Sequence, residues 1–226
     1  MLAGTLEPQR GRLKISAPIV SDHLLLPVLP DFAQAYPEIE LDLDFNDRVV
    51  DLIDEGVEIA IRSGNLLDSR LMARALRPFQ MLLCASPAYL EHRGVPQQPH
   101  DLPKHLAVRF RMPNSGKLQV WPLKLKPDQL EPIIDTAMTC NNMEALKGAV
   151  IAGLGIGCMP NFLVRDALFA GRLQTVLQDH ARGLASSTSS GPRTGIYRQR
   201  FAPASISRAS ACSRGSATFQ KQAPDD

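Results

Sequence analysis

The stretch Val49 to Gly64, VVDLIDEGVEIAIRSG, constrains the fold more than any other part of the chain. Val49, Val50, Leu52 and Ile53 place apolar side chains on one face of a helix. Gly56 offers the left-handed stop, and Val57 to Ile61 reads as a buried strand. Ala145 to Pro160, ALKGAVIAGLGIGCMP, repeats this helix, glycine turn and short apolar strand in a second setting. The two units are structural echoes and not a short-period solenoid repeat. Ahead of the first lies a strand at Leu13 to Ala17, ended by Pro18, which has no ladder donor. Ser21 then opens a helix with Leu24, Leu25, Val28, Leu29 and Phe32 on one face, and Pro27 and Pro30 predict a bend or late start in it. Ile39 to Phe45, IELDLDF, alternates as a strand with one buried face. Strand, helix, strand, helix, strand favours a parallel sheet. Leu71 to Leu76 and Gln80 to Ala85 continue as strands. Further strands are expected at Val108 to Phe110, Val120 to Leu123 and Ile133 to Ala137, with helices from Ser86, over Met143 to Ala152 and over Asn161 to Ala170.

The chain has 226 residues, long enough to bury a sizeable core. Its hydrophobic share of 44%, charged share of 21% and net charge of +2 are ordinary for a globular protein and imply no phosphate-binding surface. Cys84, Cys140, Cys158 and Cys212 have neither CxxC spacing nor nearby histidine pairs, so the expectation is buried free thiols, no metal and no disulfide framework. No secretory signal and no apolar run of about 18 residues is found, and a cytoplasmic protein is expected.

LKISAP at Leu13 to Pro18, DRVVDLIDEGVEIAIRSG, CASPAYL and LPKH, taken with the two helix-turn-strand units, closely resemble the effector-binding domain of LysR-type transcriptional regulators over roughly Arg12 to Arg182. The resemblance implies an α/β fold of the type 2 periplasmic-binding-protein kind, with two lobes that are each a mixed sheet flanked by helices. It divides the chain into a linker remnant at 1–11, a first lobe at 12–83, a second lobe at 84–182 and a tail at 183–226. The partners it implies are a small organic effector, anionic or aromatic, a homodimer or tetramer, and DNA only through a helix-turn-helix segment that this chain lacks. No membrane partner and no cofactor are implied.

The position of an effector site follows from physics as well. In open parallel sheets the carboxyl ends of strands meet helix N-termini, where backbone donors favour anionic groups. By that rule Ser16 to Ser21, Asn46 with Asp47, and Arg62 to Gly64 converge from the first lobe, and Asn141 and Asn142 face them from the second. Ser16 stands at the carboxyl end of the first strand, where the segment to Ser21 begins. Ser21 is a carboxylate donor or a helix cap. Asn46 is an amide ligand or a cap, and Asp47 a cap or charge partner because it would repel an acid. Arg62 is a carboxylate fork or a salt-bridge partner. Gly64 allows close backbone approach, and Asn141 and Asn142 cap a helix or point inward. Trp121 and Phe110 either wall the cleft or belong to the core.

Catalysis is not expected. Gly153-Leu154-Gly155-Ile156-Gly157 lacks the ending of a phosphate loop and reads as turn geometry and close packing. Ser86 before Pro87 reads as a cap. His23, His92, His100, His105 and His180 pair with no nucleophile or metal motif. The serine- and alanine-rich tail after Gly183 reads as disordered or as coding sequence translated out of frame, since a shifted frame over Ala185 to Ser207 spells a strand, a proline turn and an amphipathic helix. The functional expectation is the effector sensor of a LysR-family regulator. The alternative is a free-standing small-molecule-binding protein of the same fold.

Overall fold

The structure is a computed structural model that describes residues 11–47, 56–63, 71–125, 130–181 and 193–199, with 62–63, 71–78 and 193–199 as backbone. Two five-stranded sheets share one plan. The first has β1 (Gly11–Ala17), β2 (Ile39–Phe45), β3 (Ile59–Ser63), β4 (Leu71–Pro78) and β10 (Arg193–Gln199), in the order β2-β1-β3-β10-β4. The second has β5 (Met81–Ala85), β6 (Leu106–Phe110), β7 (Asp135–Cys140), β8 (Ile156–Pro160) and β9 (Gln174–Thr175), in the order β7-β6-β8-β5-β9. In each sheet three parallel strands are followed by a fourth that runs antiparallel to them and a fifth antiparallel to the fourth. This is the mixed-sheet, two-lobed α/β architecture expected from the sequence.

The alternating IELDLDF forms β2 over the expected residues. Pro27 and Pro30 act as expected on the segment that follows β1. It breaks into a 3-10 turn at Ile19–Ser21, α1 (Asp22–Leu25), a 3-10 turn at Leu26–Val28 and α2 (Leu29–Ala35). Gly56 takes φ +65, the left-handed conformation foreseen for it. The helix expected to precede it lies outside the described residues.

The second lobe holds α3 (Pro87–Arg93), α4 (Met143–Ile151) and α5 (Asn161–Phe169). Its sheet is buried on both faces, which is why MLLCA and IGCMP are nearly continuous apolar runs. Leu83, Ala107, Ile156 and Cys158 face Tyr89, Leu102 and Trp121 on one side. Leu82, Cys84, Val108 and Met159 face Leu146 and Val150 of α4 and Leu163 and Val164 of α5 on the other. The glycine motif is close packing, as expected. A Cβ on Gly155 would lie 2.4 Å from the Leu106 carbonyl oxygen, and one on Gly157 would lie 2.6 Å from Val150 Cγ2.

Three expectations change. Met81–Ala85 belongs wholly to the second sheet, so the strand that opens that sheet starts before residue 84. Val120 to Leu123 is no strand. Leu123 makes one isolated bridge to Ala181, and the segment follows the sheet without extending it. The tail is not devoid of order: Arg193–Gln199, RTGIYRQ, forms β10 between β3 and β4. Thr194, Ile196 and Tyr197 are strand formers, and the slot satisfies their backbone groups on both sides, a gain that average composition does not register.

Candidate functional site

β1 lies between two parallel neighbours, β2 and β3, and β6 lies between β7 and β8. Each is a point where strand order reverses, so a crevice opens beyond its carboxyl end. These crevices begin at Ala17 in one lobe and Phe110 in the other. The chain segments around them touch. Asn114 Nδ2 donates to the Asp47 carbonyl oxygen at 3.3 Å. His23 Nε2 lies 2.5 Å from Glu144 Oε1, and Val20 packs against the core beside α4 and α5. The candidate site therefore lies where these segments of the two lobes meet.

On the first-lobe side Ser16 is fully buried, its Oγ 3.5 Å from Asp44 Oδ2. Ser21 is buried but caps no helix. It ends a 3-10 turn with φ −74 and ψ −10, and its hydroxyl makes no capping bond, which corrects the cap reading. The donor at the head of that turn is satisfied from the loop after β2, because Asp47 Oδ1 accepts from the Ile19 N–H at 3.0 Å. Asp47 is thus a cap, but of a turn 28 residues earlier. Asn46 follows β2, half-buried, and its N–H donates to the Ala17 carbonyl at 2.8 Å. Arg62 is placed by its backbone in β3. The Arg62 side chain and Gly64 lie outside the described residues.

On the second-lobe side Asn142 caps α4, its Oδ1 accepting from the Ala145 N–H at 2.9 Å. Asn141, just beyond β7, is exposed. Glu144, in the first turn of α4, is drawn two ways. Burial pushes its carboxyl up, but hydrogen bonds from Lys147 and His23, with their charge, bring it below the ordinary glutamate value. Lys147 Nζ holds the outer oxygen, Oε2, at 2.6 Å.

Below the β6 end, Arg109 lays its guanidinium 5.2 Å from the Trp121 ring centroid and donates from Nη2 to the Gln119 carbonyl at 3.4 Å. Burial lowers its pKa. Arg109 Nε, Trp121 Nε1 and Gln119 Oε1 are buried without a hydrogen-bond partner among the described residues. Trp121 and Phe110 are core residues. Sequence reasoning missed Arg109, whose signal was one charge in the apolar strand LAVRF. It also missed the pairing of His23 with Glu144, which are 121 positions apart and share no motif.

The arrangement suits binding. Ser86 Oγ accepts from the Tyr89 N–H at 3.3 Å and is the cap of α3. Burial pushes the Cys84 thiol up to about 12, so it stays protonated at neutral pH. Among the described residues, no helix is long and apolar enough to cross a membrane.

The family described as LysR substrate binding domain matches residues 6–199. The HTH-type transcriptional regulator YhjC of Escherichia coli is 40% identical over 172 residues, covering 74% of this chain and 56% of that protein. The HTH-type transcriptional regulator CrgA of Neisseria meningitidis is 32% identical over 183 residues, covering 77% of this chain and 56% of its own length. The chain thus spans a little over half the length of these relatives. The solved CrgA regulatory domain superposes with a TM-score of 0.72 at 31% identity, over 84% of this chain and 90% of that one. The regulatory domain of AphB from Vibrio vulnificus shares the fold at TM-score 0.65 and 21% identity, over 85% of this chain and 93% of that one.

Proposed function

Because the chain belongs to the LysR substrate-binding domain family, we propose that it is the sensing domain of a transcriptional regulator and holds a small organic effector between its lobes. The observation that supports this reading is the pair of strand-order reversals, at β1 and β6, whose following segments meet through Asn114 with Asp47 and His23 with Glu144. In this proposal the effector is a carboxylate or an aromatic compound. Ser16, Ser21, Asn46, Arg62 and the Gly64 backbone contact it from the first lobe, and Asn141 and Asn142 from the second. Ser21 has the strongest support, being a buried hydroxyl that caps nothing. Asn142 already spends its side-chain oxygen on α4 and has its amide N–H groups to offer.

The effector acts by differential affinity for two lobe arrangements, and the response passes to DNA through a helix-turn-helix segment of the whole regulator. The same reading places the protein in the cytoplasm as a homodimer or tetramer. Leu24, Leu26 and Val28, exposed along α1 and the turn after it, support a self-association face there. Sedimentation of the purified chain reads out that state.

The effector reading is tested by thermal-shift screening of the full chain with carboxylic acids and aromatic compounds. A saturable rise in Tm is expected, with Ser21→Ala weakening the selected ligand about tenfold, the loss of one hydrogen bond to a charged group. A selected ligand that binds Ser21→Ala and Asn46→Ala as tightly as the parent would overturn the site, and no response across both compound classes would overturn the ligand class.

A further inference from the structure

Three side chains from the two lobes meet at the rim of the cleft, and their chemistry suits a metal ion. Asp22 and His23 open α1, and Glu144 sits in the first turn of α4. One ligand atom from each of Asp22, His23 and Glu144 lies within 4.8 Å of the other two, the one such grouping among the described residues. We propose that Asp22, His23 and Glu144 form a three-ligand site for a divalent transition metal of the zinc class, which ties one lobe to the other.

The donor set selects the ion. One imidazole nitrogen and two carboxylate oxygens match zinc-type sites with an open fourth position, whereas magnesium and calcium favour oxygen donors throughout. The spacing is close to what such an ion needs. Ligand atoms about 2.0–2.2 Å from a tetrahedral ion sit about 3.3–3.6 Å from one another. His23 Nε2 is 3.7 Å from Asp22 Oδ1 and 2.5 Å from Glu144 Oε1. A sub-ångström opening of the second pair, with closing of the first and of the Asp22–Glu144 pair, which lies within 4.8 Å, seats the ion.

The surroundings support the same assignment. Lys147 Nζ grips Glu144 Oε2 at 2.6 Å and leaves Oε1 directed at His23, the orienting role that an outer partner plays for a ligating carboxylate. The His23 backbone N–H donates to Asp22 Oδ1 at 2.7 Å and fixes that carboxylate as well. The two carboxylates of Asp22 and Glu144 supply the negative charge that draws a dication. Because the ligands are 121 positions apart, the sequence has no metal motif to show. The site goes beyond the effector reading and does not depend on it.

The test uses the full chain, stripped with chelator and free of organic ligand, so it can fail while the effector reading stands. Zn2+ is titrated by calorimetry and Co2+ by absorption spectroscopy. One Zn2+ per chain is expected, and Co2+ should give visible d–d bands without the near-ultraviolet thiolate charge-transfer band that cysteine ligands produce. His23→Ala and Glu144→Gln should each weaken Zn2+ at least tenfold. Both positions are about one-third exposed, and circular dichroism confirms their folding. Asp22→Asn, which keeps the shape of the side chain, should also weaken binding. No saturable Zn2+ binding by the parent, unchanged affinity in His23→Ala, or a thiolate band with Co2+ would each overturn the proposal. The first of these would leave the trio an ion-pair contact between lobes.

Discussion

At the scale of single residues, Gly155 shows how little freedom the second lobe has. It stands in the turn between α4 and β8, where the chain passes so close to Leu106 that even a methyl group would sit 2.4 Å from a carbonyl oxygen. That oxygen belongs to the backbone at the start of β6, so the strand itself would have to move. Gly155→Ala is expected to destabilise the domain by about 2–4 kcal/mol, through overpacking against an atom unable to swing away. Denaturant unfolding measures this, and a loss below about 1 kcal/mol would mean the turn relaxes freely. Gly153, with φ +86 and a prospective Cβ only in ordinary contact with Ser86 Oγ, is held by its backbone conformation instead.

At the scale of elements, β10 lies between β3 and β4 and bonds to both. A proline inside it removes a ladder donor in the interior of a sheet, so Ile196→Pro is expected to cost about 3 kcal/mol or more and to loosen the first sheet selectively. Hydrogen exchange should report lost protection along β3 and β4 while β6 and β8 stay protected. Uniform loss would show that the two sheets unfold as one unit.

Elements of this kind divide sharply in how legible they were. IELDLDF and the α4 to β8 unit carry their periodicity and stops locally, so their sequence places them almost to the residue. The segment Ile19 to Ala35 was legible through its prolines. β10 was not, because its stability comes from the edges of two strands more than a hundred residues earlier. The placing of the site rested on strand order, and Asn142 and Asp47 were both legible as caps, but the turn that Asp47 caps was not. Ser21 has the composition of a cap, yet Asp47 reaches across from the loop after β2 to do that work. A contact of that kind is set by tertiary geometry and leaves no local pattern. Arg109 and the His23–Glu144 pair were hidden for the same reason.

At the scale of the whole molecule, acid should act in two stages. Burial holds the His105 imidazole below its ordinary pKa, with the charges of Arg93 and Lys104 acting in the same direction and Asp101 opposing. The unfolded chain therefore takes up that proton first. Its stabilisation is fully present above about pH 6.5 and is lost as pH falls below that value. Glu144 is also depressed in the folded state. Its contribution is present above about pH 4.3, the unfolded carboxylate range, and is lost as pH falls through its lower folded value. Thermal midpoints measured from pH 7.5 to 3.5 should fall first with His105 and later with Glu144. His105→Leu removes a buried Nδ1 that lacks a partner and should flatten the upper stage alone, while Glu144→Gln should flatten the lower. Parallel curves for all three proteins would refute the assignment.

The strand orders also set a schedule. Every strand of the second sheet falls between Met81 and Thr175, so that lobe is complete in an unbroken length of chain. The first sheet waits for Arg193–Gln199, although its other four strands are made before any of the second. On a ribosome, the sheet begun first of the two is therefore finished last, with the facing edges of β3 and β4 unpaired in the meantime. Non-local closure of this sort is slow, and open strand edges invite association with other chains. Nascent copies are most vulnerable to aggregation in the interval between the emergence of β4 and the arrival of β10.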